Sequence, residues 1–251
     1  MMWAHATNSR NEFEEAVAST SVKAIECDIM MNRNHPPEPT LCHPPNRESD
    51  LTVRQMVRFI VAPHEGEKDN LRKHLKLDFK EIEALEPTLD LLLDSNFTNT
   101  MRNEIFLNSD ILSGPGFDEN DPSIVSPSTF LETSLTYIQR LKAKNPEILF
   151  GFSLGFKCNW KSDEGYSSSQ VSRMSDLVNQ YQLASINSLA RIVLALNARQ
   201  LSKSLSVFDG FLRDYPESTI LAWTGSGEPA IPKHEVDKIR TYYESKMMVP
   251  R

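Results

Sequence analysis

Two segments of this 251-residue chain carry charge on every second residue inside otherwise apolar stretches: Ile25-Glu26-Cys27-Asp28-Ile29 and Leu75-Lys76-Leu77-Asp78-Phe79-Lys80. Side chains of a β-strand alternate between faces, so Glu26 and Asp28 share one face while Ile25, Cys27 and Ile29 share the other. Lys76, Asp78 and Lys80 stand opposite Leu75, Leu77 and Phe79 in the same way. A fold that accepts both segments needs a sheet on which three carboxylates and two lysines converge. The plainer reading of Glu26 and Asp28 alone is the wet face of an edge strand. The matching Asp78 and Lys80 favour a site. His5, at the end of a short apolar start, and His43, in Leu41-Cys42-His43-Pro44-Pro45, complete a set suited to metal-assisted phosphoryl chemistry.

Between and beyond these segments, strand-like and helix-like stretches take turns. Ser9 and Glu12 have capping-box spacing ahead of Phe13, Ala16 and Val17, and Thr52 and Gln55 open a second helix carrying Val53, Met56, Val57 and Ile60. Strands are expected at Ile25–Met30, Thr40–His43, Leu75–Lys80, Glu104–Leu112, Ile148–Phe156, Leu183–Ile186 and Thr219–Trp223, with Met247–Val249 as a short eighth. Helices are expected at Pro87–Leu93, at Thr129–Lys142 with Ser128 as its cap, around Val171–Tyr181, around Leu201–Leu212 and around Val236–Tyr243. Repeated alternation of this kind predicts an α/β fold, a (β/α)8 barrel of the TIM type, built as a single domain over residues 1–251. In such barrels catalytic groups gather at the carboxyl ends of the strands, where His5, Glu26, Asp28, His43, Asp78, Lys80, Asn108 and Asp110 fall. The stretches Ser113–Pro127 and Cys158–Tyr166 read as loops above that mouth.

Composition removes several function classes. A formal charge of -7, with no long basic run, argues against binding a nucleic-acid duplex. The longest apolar candidate, Leu189–Leu196, is too short for a membrane helix and has Arg191 as its third residue, so no transmembrane segment is expected. Cys27, Cys42 and Cys158 match neither a disulfide framework nor a zinc spacing. Only Met1 and Met2 precede Trp3, so the reading as written is cytoplasmic, with secretion the alternative if the chain begins further upstream.

Several motifs together carry a resemblance. Trp3-Ala4-His5-Ala6-Thr7-Asn8-Ser9, Ile25-Glu26-Cys27-Asp28, His43-Pro44-Pro45 with Ser49-Asp50-Leu51-Thr52, Lys76-Leu77-Asp78-Phe79-Lys80, Leu107-Asn108-Ser109-Asp110-Ile111-Leu112-Ser113-Gly114-Pro115, Ser153-Leu154-Gly155 and Trp223-Thr224-Gly225 occur in this order. The series resembles the menorin family. More distantly, the His, Glu-x-Asp, His, Asp-x-Lys order is similar to glycerophosphodiester phosphodiesterases and sphingomyelinase D enzymes, PLC-like barrels that use a divalent cation. Phe156 stands where the family tends to have tryptophan, and Lys73-His74-Leu75 lacks the family's glycine. The resemblance implies that Glu26, Asp28 and Asp78 bind the metal and that His5 and His43 are the acid and the base, in an order left open.

The donor chemistry agrees with that implication. Three carboxylates make a hard oxygen site, suited to Mg2+, with Ca2+ or Mn2+ as alternatives. Lys80 can hold a phosphate oxygen or tune Asp78. Asn8, Asn108, Asp110 and Trp223 join the set as substrate contacts. Hydrogen bonding between strands is weighed equally for Asn108 and Asp110, and core packing is preferred for Trp223. Two functional readings stand. One is a metal-dependent phosphodiesterase-like enzyme acting on a small-molecule or lipid phosphodiester, such as a phospholipid headgroup or nucleotide derivative. The other is a non-catalytic binding and signalling module with protein partners and a vestigial site.

Overall fold

The computed structural model describes residues 3–62, 73–101, 103–186, 189–225 and 227–247. Its strands are β1 (Trp3–Ala4), β2 (Ala24–Met31), β3 (Pro39–Leu41), β4 (His74–Phe79), β5 (Ile105–Ser113), β6 (Phe150–Lys157), β7 (Leu189–Asn197) and β8 (Thr219–Trp223). The helices are α1 (Arg10–Ala18), α2 (Val53–Val61), α3 (Leu85–Asp94), α4 (Phe97–Thr100), α5 (Pro127–Lys144), α6 (Ser168–Gln180), α7 (Ala198–Leu201), α8 (Asp209–Asp214) and α9 (Lys233–Met247). The sheet order is β1-β2-β4-β5-β6-β7-β8, with β3 on β2. The fold is therefore α/β with a predominantly parallel sheet, as the alternation predicts. Among the described residues the order ends at β8, with no bond carrying it back to β1.

The chain divides into two compact units. Unit 1 comprises Met1–Ser109, Val125–Ser153 and Asn187–Ala190; unit 2 comprises Asp110–Ile124, Leu154–Ile186 and Arg191–Arg251. In unit 1, α1 and α2 start at the expected capping boxes: Ser9 accepts from the Glu12 N–H and Thr52 from the Gln55 N–H, each with the return bond in place. The i, i+3, i+4, i+7 pattern of α2 buries Val53, Met56, Val57 and Ile60. The buried ring of Phe130, on α5, lies 6.2 Å from that of Phe79 on β4 and 6.1 Å from that of Phe152 on β6. In unit 2, Tyr166 packs 5.3 Å from both Phe156 and Phe208.

Several local expectations need correction. Thr40–His43 is not another parallel strand: β3 runs antiparallel to β2, pairing Ile29 with Leu41 and Met31 with Pro39. Only seven residues separate the two strands, enough for a hairpin return and too few for the crossover that parallel pairing requires. Leu183–Ser185 is a 3-10 turn, and the strand there is β7, which uses the apolar run set aside as too short for a membrane. A continuous apolar run of that length suits a strand of a parallel sheet. Helix α5 is capped by Ser126, two residues earlier than Ser128, because Pro127 occupies the first helical position. The expected Leu201–Leu212 helix is broken into α7, a 3-10 turn at Leu205–Phe208 and α8. Met247 closes α9, while the rest of the proposed eighth strand, 248–249, lies outside the described residues.

Candidate metal centre

The register of β2, β4 and β5 assembles the polar cluster. Glu26 pairs with Lys76 and Asp28 with Asp78 across β2 and β4, and Asp78 pairs with Asn108 across β4 and β5. Parallel strands in register stack side chains of the same parity on one face. Alternation in each segment thus becomes a row of charge across three strands. Cys27, Leu77 and Leu107 form the matching apolar row, fully buried on the other face.

All four polar residues of the row's centre are nearly inaccessible: Glu26 and Asp28 are 2% exposed, Lys76 5% and Asp78 7%. Charges this deep need partners, and they have them. Lys80 Nζ bridges Asp28 Oδ1 at 2.8 Å and Asp78 Oδ2 at 2.7 Å. Lys76 Nζ stands 3.6 Å from Glu26 Oε1 and 3.9 Å from Asp78 Oδ2. Asn108 Nδ2 donates to Asp78 Oδ1 at 2.5 Å. Asn8 Nδ2 donates to Asp28 Oδ2 at 2.7 Å, and the Asp28 N–H returns a bond to Asn8 Oδ1 at 2.9 Å.

The carboxyls respond differently to this setting. Burial pushes Glu26 above its usual value, Asp28 and Asp78 add to the rise, and Lys76 opposes it. Burial also works against Asp78. The ammoniums of Lys80 and Lys76, with hydrogen bonds from Lys80 and Asn108, overcome it and hold that carboxyl well below the carboxylate range.

The turn after β1 reaches the cluster through backbone as well as side chain. Ala6 adopts a left-handed φ of 55°, unfavourable for a residue with a Cβ. In that conformation its N–H donates to Glu26 Oε2 at 2.7 Å, while the Thr7 N–H meets the Glu26 carbonyl at 3.0 Å. A charge-assisted bond to a buried carboxylate offsets the strain. The neighbouring His5, 55% exposed at its side chain, places Nε2 3.7 Å from Glu26 Oε2. It forms the solvent-facing margin of the cluster.

His43 is also exposed, and its Nδ1 lies 2.7 Å from the Pro44 carbonyl. A carbonyl only accepts, so Nδ1 carries the hydrogen and Nε2 keeps the free lone pair of the neutral ring. The Cys42 N–H bonds the Asp28 carbonyl at 3.0 Å, fixing the segment that leads to His43. With Asn8, Glu12, Asn46 and Asp50, His43 lines an open groove of about 340 Å³.

Tested against a divalent cation, the cluster fits. Glu26, Asp28 and Asp78 each offer an oxygen, and the three atoms lie within 4.8 Å of one another. Opposite oxygens around Mg2+ are about 4.2 Å apart, and around Ca2+ nearly 5 Å, from ordinary bond lengths. Glu26 Oε1 is buried and has no hydrogen-bond partner among the described residues. An all-oxygen set of this kind suits Mg2+, Ca2+ or Mn2+.

The sequence-derived set therefore divides. Glu26, Asp28, Asp78, Lys80, Asn8, Asn108 and His5 come together in unit 1, and His43 lines the adjoining groove. Asn8 and Asn108, read as substrate contacts, each donate one Nδ2 hydrogen to a metal-ligand candidate. Asp110 and Trp223 belong to unit 2, where Asp110 is half-buried on β5 and Trp223 lines a cleft of about 260 Å³ with Ile231, Val236 and Ile239. Lys76, one of the two lysines expected to converge but given no role of its own, stands beside two of the carboxylates. Its signal was the same alternation that marked Asp78.

Comparison with known proteins agrees with the motif series. The menorin N-terminal domain family matches residues 1–249. Human protein FAM151B is 26% identical over 231 residues, covering 90% of this chain and 73% of the relative. A family match that takes in β1 through α9, including the whole polar row, places this chain in the menorin family.

Proposed function

We propose that this menorin domain is a divalent-metal-dependent phosphodiesterase-like enzyme acting on a small-molecule or lipid phosphodiester. The observation that carries the reading is the convergence of Glu26, Asp28 and Asp78 at buried oxygens within 4.8 Å, with Glu26 Oε1 left without a hydrogen bond. The same reading takes the sheet as a single-domain, PLC-like (β/α)8 barrel, supported by the parallel order and by the distant resemblance to phosphodiesterase barrels.

Bound Mg2+, or Ca2+ or Mn2+, would neutralise charge developing on a non-bridging phosphate oxygen. The chain's own groups do the rest. Glu26, Asp28 and Asp78 hold the cation, and Asn8 and Asn108 orient two of those carboxylates. Lys80, already paired with Asp28 and Asp78, supplies a positive charge to a second phosphate oxygen. His43, with Nε2 unprotonated when the ring is neutral, accepts a proton; His5, its Nε2 3.7 Å from Glu26 Oε2, is the second proton-transfer group and returns one.

One observation favours the second reading, a non-catalytic module: the Lys80 ammonium already bridges two of the three carboxylates and offsets part of their charge internally. Calorimetric Mg2+ titration of chelator-stripped protein separates the two. Saturable binding that disappears in Asp28→Ala and Asp78→Ala, followed by phosphodiester turnover lost in His5→Ala and His43→Ala, is the expected result. A parent protein that binds none of Mg2+, Ca2+ or Mn2+ would refute the enzyme reading.

A further inference from the structure

Unit 2 contains a cleft of about 460 Å³ that the three-carboxylate site does not involve; its charged and aromatic lining is Trp160, Lys161, Asp163, Arg199, Lys203 and Glu235. Three cations against two carboxylates give it a positive balance in a chain whose net charge is -7. The carboxylates weigh less than their number suggests. Asp163 is fully solvated, 3.7 Å from Lys203 Nζ, and Glu235 Oε2 is taken by the Ser202 hydroxyl at 2.7 Å.

The central cation is held in place. Arg199 Nη2 donates to the Pro229 carbonyl at 2.6 Å. Behind it stands Glu228, its side chain 2% exposed, with Oε1 accepting from Asn197 Nδ2 and the Gly225 N–H, each at 2.8 Å. Glu228 Oε2 is 4.0 Å from Arg199 Nε, too far for a direct hydrogen bond, and neither atom has one among the described residues. Both atoms are buried, so the carboxylate orients the guanidinium electrostatically from behind, which leaves recognition in the cleft to the Nη groups.

The aromatic wall is equally supported. The turn bearing Trp160 is pinned where the Asn159 N–H meets the Pro115 carbonyl at 3.0 Å and Gln200 Nε2 meets the Asn159 carbonyl at 3.1 Å. Lys161 Nζ lies 5.4 Å from the Trp160 ring centroid, and Lys203 Nζ donates to the Ser162 carbonyl at 3.3 Å.

We propose that this cleft binds a phosphomonoester, its terminal phosphate held by Arg199, Lys161 and Lys203 and its apolar or aromatic body lying against Trp160. An oriented guanidinium recognises phosphate oxygens in pairs, and the lysines add point charges that favour a dianion over a carboxylate. The volume suits a small molecule. The same group occurs on soluble metabolites and on phosphatidic acid, and the test distinguishes them.

The full chain, kept in chelator so that no divalent cation contributes, is titrated calorimetrically with phenyl phosphate, inorganic phosphate and benzoate. Saturable phenyl phosphate binding that weakens at least tenfold in Lys161→Glu and Lys203→Glu, and again in Arg199→Gln, is expected. Trp160→Ala should weaken phenyl phosphate more than inorganic phosphate, and benzoate should bind at least tenfold more weakly than phenyl phosphate. The two lysine variants keep the test decisive if Arg199→Gln does not fold. Co-sedimentation with phosphatidylcholine vesicles containing phosphatidic acid, lost in both lysine variants and accompanied by no phenyl phosphate binding, would support the proposal with a lipid headgroup as the source. Binding to neither probe, binding untouched by both lysine variants, or equal affinity for benzoate overturns it.

Discussion

Asn8 and Asp28 close a two-bond ring across twenty residues of sequence: the amide donates to the carboxylate at 2.7 Å, and the Asp28 N–H donates to the amide oxygen at 2.9 Å. The ring joins the turn before α1 to β2 and fixes the plane of a carboxylate that is 2% exposed. Under the proposed function Asn8 would act through Asp28, by orienting it.

Asn8→Ala leaves the Asp28 N–H and one carboxylate lone pair without their partner. A loss of about 1–3 kcal/mol in folding free energy is expected, together with about 10–100-fold weaker Mg2+ binding. Urea denaturation and calorimetry on the same preparation check both. Unchanged Mg2+ affinity in a destabilised variant would reduce Asn8 to a structural role.

Lys80 stands between Asp28 and Asp78 at 2.8 and 2.7 Å, so Lys80→Ala leaves two buried carboxylates facing one another. The metal-free variant should lose about 3–5 kcal/mol, the usual cost of removing one partner from a buried pair. Under the proposed function Mg2+ would bind the folded cluster alone and should restore part of that loss. The rise in Tm on adding Mg2+ should therefore be larger for Lys80→Ala than for the parent, and an equal or smaller rise contradicts the cation reading.

The two shifted carboxyls pull stability in opposite directions with pH. Asp78 has a folded value below its usual 3.8, so its contribution is present above 3.8 and lost as pH falls through the lower folded value. Glu26 is raised from 4.5, so its contribution is fully present below 4.5 and lost as pH rises through the raised folded value. In metal-free protein, Asp78→Asn should flatten the acid limb of the stability profile and Glu26→Gln the decline above it. Urea midpoints measured from pH 2 to 9 show whether each limb responds to its own substitution.

The parts of this fold that were readable in sequence are those set by near neighbours. Ser9 with Glu12 and Thr52 with Gln55 announce helix starts because each cap bonds within its own first turn. The alternation at Ile25–Ile29 and Leu75–Lys80 predicts two charged faces, since strand geometry alone separates odd from even residues. What escaped depends on a distant partner. Thr40–Leu41 has strand chemistry in either direction, and only its pairing with β2 makes it antiparallel. Asn8 carries the same amide whether it meets a substrate or Asp28, and the pairing of Lys76 with Glu26, though not the face Lys76 lies on, follows from the strand register.

Gly116 offers a last test, in unit 2. Its φ of +65° is left-handed, and a Cβ there would come 2.4 Å from Ser162 Cβ and 2.7 Å from its Oγ. Two penalties are therefore superposed on Gly116→Ala, one of backbone conformation and one of overlap. Together they should cost about 2–4 kcal/mol, and the Ser162 side chain should be displaced from the turn that carries Trp160. The penalties separate in a double-mutant cycle. Ser162→Gly removes both clashing atoms and leaves φ untouched, so in that background Gly116→Ala should cost only the left-handed penalty of about 1 kcal/mol. Denaturation of the four proteins measures the coupling. A Gly116→Ala cost that is the same with and without the Ser162 side chain would mean that the overlap is relieved by movement elsewhere and that this turn does not hold Trp160 in place.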